Sequence, residues 1–289
     1  MTLEQLRIFV AVADILNMTR AAQELNLTQP SVSAAIAALE GRHRLHLFDR
    51  VGRGLELSEA GRVFLPEARA VLASAQNAAS ALDDLAGLRR GSLHIAASQT
   101  VATYWLPARM ARFAELWPAI SLVLQVSNTK EAGEAVLAGD ADLGFVEGEV
   151  REPLLDQKLV GQDRLGLFSR PDHPLVAGKL AESDLRNAAW VLREDGSGTR
   201  AHFAEALGKV GLTIGDLKVR LELPSNGAVL EALAAGGMIG AVSELAAAPR
   251  IAAGQITKLD WGFPPRGFTQ LRHRARRISS ATQAFLQIA

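Results

Sequence analysis

The sequence predicts a chain of three parts: a small helical head with a two-stranded wing, one long helix, and a larger α/β part. Three observations indicate this order. Apolar residues recur at helical spacing near the start, a Leu/Ala pattern then runs without interruption, and strands alternate with helices to the end. At 289 residues the chain is long enough for two domains.

The composition is that of a globular protein. Hydrophobic residues make up 48% and charged residues 21% of the chain, which argues against disorder. No apolar run reaches the roughly 20 residues that span a bilayer, and the first residues lack a signal-peptide pattern. The chain has no cysteine, so disulfides and thiolate sites are excluded, and we expect a cytoplasmic location. The net charge is zero, so any nucleic-acid contact depends on local patches.

Three helices are predicted in the head. Thr2 and Gln5 form a capping box before a helix that ends near residue 16. Thr19 is expected to cap a second helix, and Thr28 a third, with Pro30 in its first turn. Only three residues separate the second and third helices, which is the spacing of a helix-turn-helix.

The third helix pairs an apolar stripe with a face of short side chains. The stripe is Val32, Ile36 and Leu39. The opposite face carries Gln29, Ser31, Ser33, Ala34 and Ala37. Short side chains let a helix enter a DNA major groove, where Gln can pair with adenine. A solvent-exposed helix of small residues is the alternative, and the helix alone does not decide between them.

The segment after this helix predicts a two-stranded wing. The runs "LHLF" and "LEL" bracket "DRVGRG", whose glycines suit a tight turn. The basic side chains here are Arg42, Arg44, Arg50 and Arg53. A charge run is usually a solvated surface, but after a helix-turn-helix it favours contact with phosphates.

The run "LRIFVAVAD…TRAAQELNLTQPSVSAAIAALE…LFDRVGRGLELSEAG" resembles the DNA-binding domain of LysR-type transcriptional regulators. The resemblance implies an α-helical winged helix-turn-helix domain over residues 1–61 that binds double-stranded DNA. The implied DNA contacts are Arg20, Thr28, Gln29, Pro30, Ser31, Ser33, Ala34, Arg50 and Arg53. Family members often carry Arg or Lys where this chain has Ala34 and Ala37. Residues 1–61 hold six basic and seven acidic side chains, so we expect modest affinity per head and reliance on dimerisation.

One long helix is predicted from Ala60 to about Leu88. Along this helix, Leu and Ala residues recur at alternating spacings of three and four and form an apolar stripe, called here the seam. The seam comprises Leu65, Ala68, Leu72, Ala75, Ala79, Leu82 and Ala86. The helix can pack on its own domain. The resemblance instead implies a linker over residues 62–90 that forms a homodimer, with a homotetramer expected beyond it. "GLRRGS" is interpreted as a hinge.

Residues 91–289 predict an α/β domain with a mostly parallel sheet, because strands such as "SLHIAAS", "ISLVLQVS" and "ADLGFVEG" alternate with helices. The last strand is expected in "FTQLRHRARRIS". The resemblance implies a two-lobed effector domain like a periplasmic binding protein. Lobe I would comprise residues 91–161 and 267–289, and lobe II residues 162–266, with crossings near 160–162 and 266–268.

Polar residues follow three strands, in "ASQTVATYWLP", "REDGSGTR" and "LPSNGAVLE". Each is most simply a helix cap, but several converging on one cleft would bind a small anion. The effector contacts implied by the resemblance are Ser98, Gln99, Thr100, Gln125, Asn128, Glu147, Ser197, Thr199, Ser225 and Asn226. The chain is similar to regulators of Calvin-cycle and sulfur-assimilation genes, which implies an oxyanion such as sulfite, or a phosphorylated or carboxylated metabolite.

Glu147 does not fit a simple anion site, because its carboxylate would repel the ligand. It can instead hold Arg200 or Arg193, recognise a hydroxyl or amine, or be a surface acid. The run "RHRARR" suggests nucleic-acid binding in isolation, but a half-exposed strand near the crossover fits better.

The expected function is a transcription regulator that binds inverted-repeat promoter sites as a homo-oligomer and responds to a small anionic effector. RNA polymerase is a further expected partner, and a membrane is not. No G-x-S-x-G, H-E-x-x-H, Walker A or dinucleotide pattern occurs, so we expect no enzyme, cofactor or metal site. A solute-binding protein is the remaining alternative, but it would need a signal peptide and no DNA-binding head.

Overall fold

A computed structural model describes residues 1–51, 54–85 and 91–289. The chain forms two compact units, one of residues 1–88 with 138–140 and one of residues 89–137 with 141–289. No described helix is both long and apolar enough to cross a membrane.

The first two helices of the head are α1 (Leu3–Ile15) and α2 (Met18–Glu24). The capping box of α1 is confirmed, since Thr2 and Gln5 exchange backbone and side-chain hydrogen bonds. The prediction that Thr19 caps α2 was wrong. Asn17 is the cap, and its Oδ1 accepts from the backbone N of Thr19 and of Arg20 at 3.0 Å each. Thr19 lies inside the first turn, where its own N–H is one of the groups to be capped.

Helix α3 (Gln29–His43) begins as predicted, with Thr28 Oγ1 accepting from Ser31 N at 3.3 Å. Asn26 adopts a left-handed conformation, φ 55°, which turns the chain sharply between α2 and α3. The predicted stripe is buried in the core of the head: Val32, Ile36 and Leu39.

The wing consists of β1 (Phe48–Val51) and β2 (Gly54–Leu57), paired antiparallel. β1 starts at Phe48, the last residue of the predicted run "LHLF", because residues 45–47 connect the strand to α3. Glu40 Oε1 accepts from Leu47 N at 2.7 Å and holds this connection to the helix. Gly52 and Arg53, at the tip, lie outside the described residues.

Helix α4 (Glu59–Leu85) is the predicted long helix. Leu65, Ala68 and Leu72, the first part of the seam, pack against the core of the head. Farther along, Leu82 is 68% exposed. The beginning of α4 therefore packs on its own domain, and its later turns present apolar side chains to solvent. Ala86 and the first four residues of "GLRRGS" lie outside the described residues.

The second unit begins with a sheet in the order β4-β3-β5-β11-β6. Its strands are β3 (Gly91–Ser98), β4 (Ile120–Ser127), β5 (Leu143–Glu147), β6 (Leu155–Ser169) and β11 (Pro265–His273). Its helices are α5 (Gln99–Tyr104), α6 (Leu106–Leu116), α7 (Thr129–Ala138) and α12 (Ser280–Leu286). These elements form one lobe.

The other lobe is built on the far end of β6, which also pairs with two shorter strands. Its remaining strands are β7 (Ala189–Arg193), β8 (Lys218–Leu223), β9 (Gly240–Ser243) and β10 (Thr257–Lys258). Its helices are α8 (Glu182–Asn187), α9 (Gly198–Gly208), α10 (Asn226–Ala235) and α11 (Glu244–Ala252). A bridge between Trp190 and Ile239 connects β7 to the start of β9.

The sheets are mixed, so the prediction of a mostly parallel sheet was wrong. β3 pairs parallel with β4 and β5, and β7 with β8. β6 and β11 run antiparallel to each other and to their other partners, because the chain enters the second lobe along β6 and returns along β11. The helical segment after β3 begins directly at Gln99 and is interrupted at Trp105.

The basic run near the end of the chain is committed to protein contacts. β11 ends at His273, earlier than predicted, and a turn follows. Arg272 Nη2 and Arg274 Nε lie 2.6 and 2.9 Å from the Asp156 carboxylate. Arg276 donates to two backbone carbonyls at the end of α7. These bonds engage three of the four arginines of the run in contacts within the protein.

Candidate functional site

The exposed face of α3 is the candidate DNA interface. Its short side chains are exposed: Gln29, Ser31, Ser33, Ala34 and Ala37. Thr28 Oγ1 and Ser31 Oγ lie 2.8 Å apart, so these two hydroxyls bond to each other. No described residue forms a hydrogen bond with the Gln29 side chain, which leaves its amide free to bind a base edge.

Exposed cations flank this face. Arg20 on α2 and Arg50 on β1 make no ion pair with a described residue, whereas Arg7 Nη2 lies 2.8 Å from Glu4 Oε1. The two unpaired guanidinium groups are therefore available to phosphates. Pro30, in the first turn of α3, is exposed beside Gln29.

The candidate effector site lies between the two lobes of the second unit. Ser98 and Glu147 end the neighbouring parallel strands β3 and β5, and both are buried. The N-terminus of α9 approaches them from the other lobe. A Cβ atom at Gly198 would fall 2.5 Å from Thr129 Oγ1 and 3.0 Å from the Glu147 carbonyl oxygen. The lobes are therefore in direct contact here, and a side chain at position 198 would have to displace a neighbouring atom.

A buried charge network crosses this contact. Arg266 Nη2 and Nε donate to Asp163 Oδ2 at 2.6 and 3.0 Å, and Nη1 donates to Thr199 Oγ1 at 3.0 Å. Arg266 Nη2 also lies 3.8 Å from Glu147 Oε1, and Ser243 Oγ donates to the other Asp163 oxygen at 3.1 Å. The buried Arg266 guanidinium thus neutralises two buried carboxylates, those of Asp163 and Glu147.

The surroundings of Glu147 act on its pKa in opposite directions. Burial by itself would raise its pKa, but the nearby Arg266 guanidinium and the hydroxyls of Ser98 and Thr100 hold the pKa below its ordinary value. Thr129 Oγ1 donates to Glu147 Oε2 at 3.3 Å. Glu147 is only 4% exposed, so its interpretation as a surface acid was wrong.

The arginines suggested as partners of Glu147 bind elsewhere. Arg200 pairs with Glu222 and donates to the Arg193 carbonyl at 2.8 Å. Arg193 bonds to Glu194 through two nitrogens at 2.7 Å. Arg266 is the partner instead.

A second set of hydrogen bonds joins the lobes beside this network. Gln99 Nε2 donates to the Pro224 carbonyl at 2.9 Å, and Asn226 N donates to Gln99 Oε1 at 3.1 Å. Asn226 Nδ2 donates to Thr100 Oγ1 at 3.0 Å, while Arg193 Nη1 donates to Asn226 Oδ1 at 2.9 Å. Gln99, Thr100 and Asn226 thus form a polar bridge between the lobes.

Three other residues implied by the family resemblance have local roles. Ser225 Oγ caps α10 through Ala228 N at 3.0 Å. Asn128 exchanges hydrogen bonds with Glu131 at the start of α7. Gln125 is exposed on the edge strand β4 and does not line the groove between the lobes.

Ser98 and Ser197 place hydroxyls at the site. Ser98 Oγ is buried and adjoins the Glu147 carboxylate, whose pKa it helps to lower. Ser197 precedes α9 and is buried, but its side chain makes no capping bond. The site residues not anticipated were Asp163, Arg266 and Thr129. Arg266 begins the predicted return crossing, which was the only sequence signal for it.

A groove of about 1270 Å³ opens between the lobes beside Glu147. Strand β5 and α7 border one side, and α9 borders the other. Its carboxylates are Glu134, Glu147, Glu149, Glu152, Asp195 and Glu205. Its Lys and Arg side chains are Lys130, Arg151, Arg200, Lys209 and Arg266. Six carboxylates against five such cations make this groove unlike a basic pocket for a bare anion.

Comparison with known families agrees with both units. Residues 3–62 match the bacterial regulatory helix-turn-helix proteins of the lysR family, and residues 86–289 match the LysR substrate binding domain. The chain belongs to the LysR family of DNA-binding transcription regulators, which combine a helix-turn-helix with an effector-binding domain and are not enzymes.

Named relatives include a regulator of a RuBisCO operon. It is 35% identical over 288 residues to the RuBisCO operon transcriptional regulator of Allochromatium vinosum, covering 98% of this chain and 94% of the relative. Full-length CbnR in complex with its target DNA shares the fold, with a TM-score of 0.67, 23% identity, and coverage of 99% and 98%. The Synechocystis CcmR regulatory domain in complex with 2-PG is similar at 28% identity and a TM-score of 0.62, covering 68% of this chain and 95% of that domain.

Proposed function

We propose that this regulator binds inverted-repeat promoter sites as a homo-oligomer and is gated by a small anionic effector between its lobes. The observation that carries the proposal is the site between β3, β5 and the N-terminus of α9, which joins the lobes through buried polar groups. A ligand that inserts here changes the angle between lobes only if it binds one arrangement better than another.

The proposed DNA contacts are the exposed face of α3, with Gln29 at base edges and Arg20, Arg50 and Arg53 at phosphates. Exposure of the face and the free Gln29 amide support this role. The head carries few cations, so two heads on paired half-sites about one helical turn apart would supply the affinity. We propose that the exposed later turns of α4 join the chains, and that the regulator works in the cytoplasm as a tetramer that contacts RNA polymerase.

The proposed effector is a small acid. The CcmR regulatory domain, which is similar to residues in this unit, has a structure in complex with 2-PG. The N-terminus of α9 and the hydroxyls of Ser98 and Ser197 are groups that bind anions. The effector contacts proposed for this chain are these two serines with Gln99, Thr100, Glu147, Thr199 and Asn226.

Footprinting on the promoter region beside the gene, with and without candidate acids, tests the proposal. We expect protection of two half-sites and a change in the protected length when an effector binds. Absence of a protected site at low salt would contradict it. Ser98→Ala should abolish the effector response and leave basal DNA binding intact, because Ser98 lies in the second unit and not in the DNA-binding head.

Base recognition by α3 is tested separately. Gln29→Ala should reduce discrimination between specific and random DNA by about 1–3 kcal/mol. Gln23→Ala, on the exposed surface of α2, is the matched control and should leave discrimination unchanged. Equal losses on specific and random DNA would show that Gln29 reads no base.

A further inference from the structure

We propose that a latch holds the two lobes of the second unit closed when no ligand is bound, and that this latch must open before an effector enters. The latch is the Gln99 side chain together with the backbone groups of Pro224 and Asn226 to which it bonds. It presupposes the effector site proposed above, because it controls access to that site. Entry of an effector then costs the free energy of separating the lobes.

Both ends of the Gln99 amide are bonded across the lobes. Gln99 is the first residue of α5, and its two partners lie where β8 leads into α10. Gln99 Nε2 donates to the Pro224 carbonyl at 2.9 Å, and Gln99 Oε1 accepts from Asn226 N at 3.1 Å. A side-chain amide has one acceptor oxygen and one donor nitrogen, so this pairing uses both and fixes Gln99 at two points.

Buried hydrogen bonds behind the latch hold its partner Asn226 in place. Asn226 Nδ2 donates to Thr100 Oγ1 at 3.0 Å, and Arg193 Nη1 donates to Asn226 Oδ1 at 2.9 Å. The Thr100 hydroxyl also bonds to the Glu147 carboxylate. Thr100, Arg193 and Asn226 are all buried. These groups bond to one another, so the closed contact satisfies them without a ligand.

The lobes also touch at the start of α9. Lys130 N, in the first turn of α7, donates across the lobes to the Gly196 carbonyl at 3.3 Å. A Cβ at Gly198 would fall 2.5 Å from Thr129 Oγ1, and one at Gly196 would fall 3.2 Å from Asn128 Nδ2. A ligand does not fit between surfaces this close. An effector therefore inserts here only by stabilising an arrangement in which the lobes stand farther apart.

Hydrogen exchange of the full-length protein, with no effector added, tests the latch. The Lys130 amide reports opening, because its bond crosses the lobes and does not involve Gln99. Each bond of the latch is worth a factor of roughly 2–10 in an equilibrium constant, so Gln99→Ala should raise the exchange rate of this amide roughly tenfold. An unchanged rate would overturn the proposal.

Gln157→Ala is the matched control. The Gln157 amide makes the same pair of bonds, donating to the Val150 carbonyl at 2.6 Å and accepting from Val150 N at 3.0 Å, but both residues belong to one lobe. Its loss should leave exchange of the Lys130 amide at the native rate. An increase equal to that in Gln99→Ala would mean that any lost pair of bonds loosens this unit, which would also refute the latch.

Gln99→Glu is a second variant that keeps the native side-chain length. It retains an acceptor for Asn226 N, but a carboxylate cannot donate to the Pro224 carbonyl. Exchange of the Lys130 amide should therefore rise again. Circular dichroism shows whether each variant is folded, and native exchange in a folded Gln99 variant would contradict the proposal.

The promoter footprint separates the latch from the proposed function. If opening of the lobes is the signal that reaches the DNA, Gln99→Ala should change the protected length without an effector. Faster exchange with a native footprint would support the latch and contradict the proposed gating of DNA binding. Native exchange would overturn the latch, whatever the footprint shows.

Discussion

Arg266 and Asp163 are paired positions on the two antiparallel strands that connect the lobes, and their side chains form a bond of 2.6 Å between Nη2 and Oδ2. Each side chain is 1% exposed. The crossing between the lobes is therefore stabilised by a buried ion pair whose cation also neutralises Glu147 in the proposed effector site.

Arg266→Met should lower the free energy of unfolding by about 3–5 kcal/mol, because two buried carboxylates lose their cation. Urea denaturation followed by circular dichroism measures this change. Arg164→Met is the matched control, since Arg164 lies on the partner strand β6, next to Asp163, but is exposed. Similar unfolding midpoints for both variants would mean that the buried pair contributes nothing beyond a surface charge.

Gly198→Ala should separate the lobes, because the added Cβ would lie 2.5 Å from Thr129 Oγ1 and 3.0 Å from a backbone oxygen. We expect a loss of about 1–3 kcal/mol in stability and a weaker effector response. The native chain has no cysteine, so spin labels at Glu134→Cys and Glu205→Cys, on opposite sides of the groove, can report the separation.

Gly208→Ala is the control for this measurement. No atom lies within 4 Å of a Cβ at Gly208, and the residue ends the same helix. Alanine there should leave the label distance unchanged and the stability equal or slightly higher. An unchanged distance in Gly198→Ala would show that the lobes accommodate the methyl group by local adjustment.

His202 should make stability depend on pH. Burial lowers its pKa, although contact with the Pro264 carbonyl partly opposes this. The folded state therefore binds fewer protons than the unfolded state, so the contribution of His202 to stability is fully present above the unfolded pKa of about 6.5 and is lost as the pH falls from there through the lower folded pKa. His202→Gln should flatten the stability profile between about pH 5 and 7. Burial also lowers the pKa of His173 and His273, so some slope should remain.

If the stability of His202→Gln depends on pH as that of the native protein does, a residue other than His202 takes up the proton. Thermal unfolding at closely spaced pH values, at constant ionic strength, provides the measurement. Glu147 contributes a separate effect at lower pH. Because its folded pKa is depressed, its stabilisation is present above its ordinary pKa and disappears as the pH falls below that value.

Asn17→Ala should destabilise the head by about 1 kcal/mol, because its Oδ1 caps two backbone N–H groups at the start of α2. Thr19→Ala, two residues later, removes an exposed side chain that caps nothing. We expect little change from it. Chemical denaturation of each variant, followed in the head, compares them, and a larger loss for Thr19→Ala would restore Thr19 as the cap.

The start and the buried side of a helix could be predicted from the sequence where a single local signal was present. Thr28 and Pro30 marked the start of α3, and Val32, Ile36 and Leu39 marked its buried side, because capping and helical periodicity act over a few neighbouring residues. At the start of α2, both Asn17 and Thr19 are residues of a type that can cap a helix, and they lie close together in the sequence. The choice of Asn17 over Thr19 depended on where the preceding turn placed the chain.

The sequence by itself determined the three-part architecture, the family and the polar strand ends that carry Ser98, Glu147 and Ser197. Only the tertiary structure decided which charges meet. Asp163 and Arg266 are 103 positions apart, and no local pattern encodes their pairing. The register of β6 with β11 brings the two side chains together. Once buried, each charge must be paired, because an unpaired charge in the protein interior costs more free energy than local sequence preferences contribute.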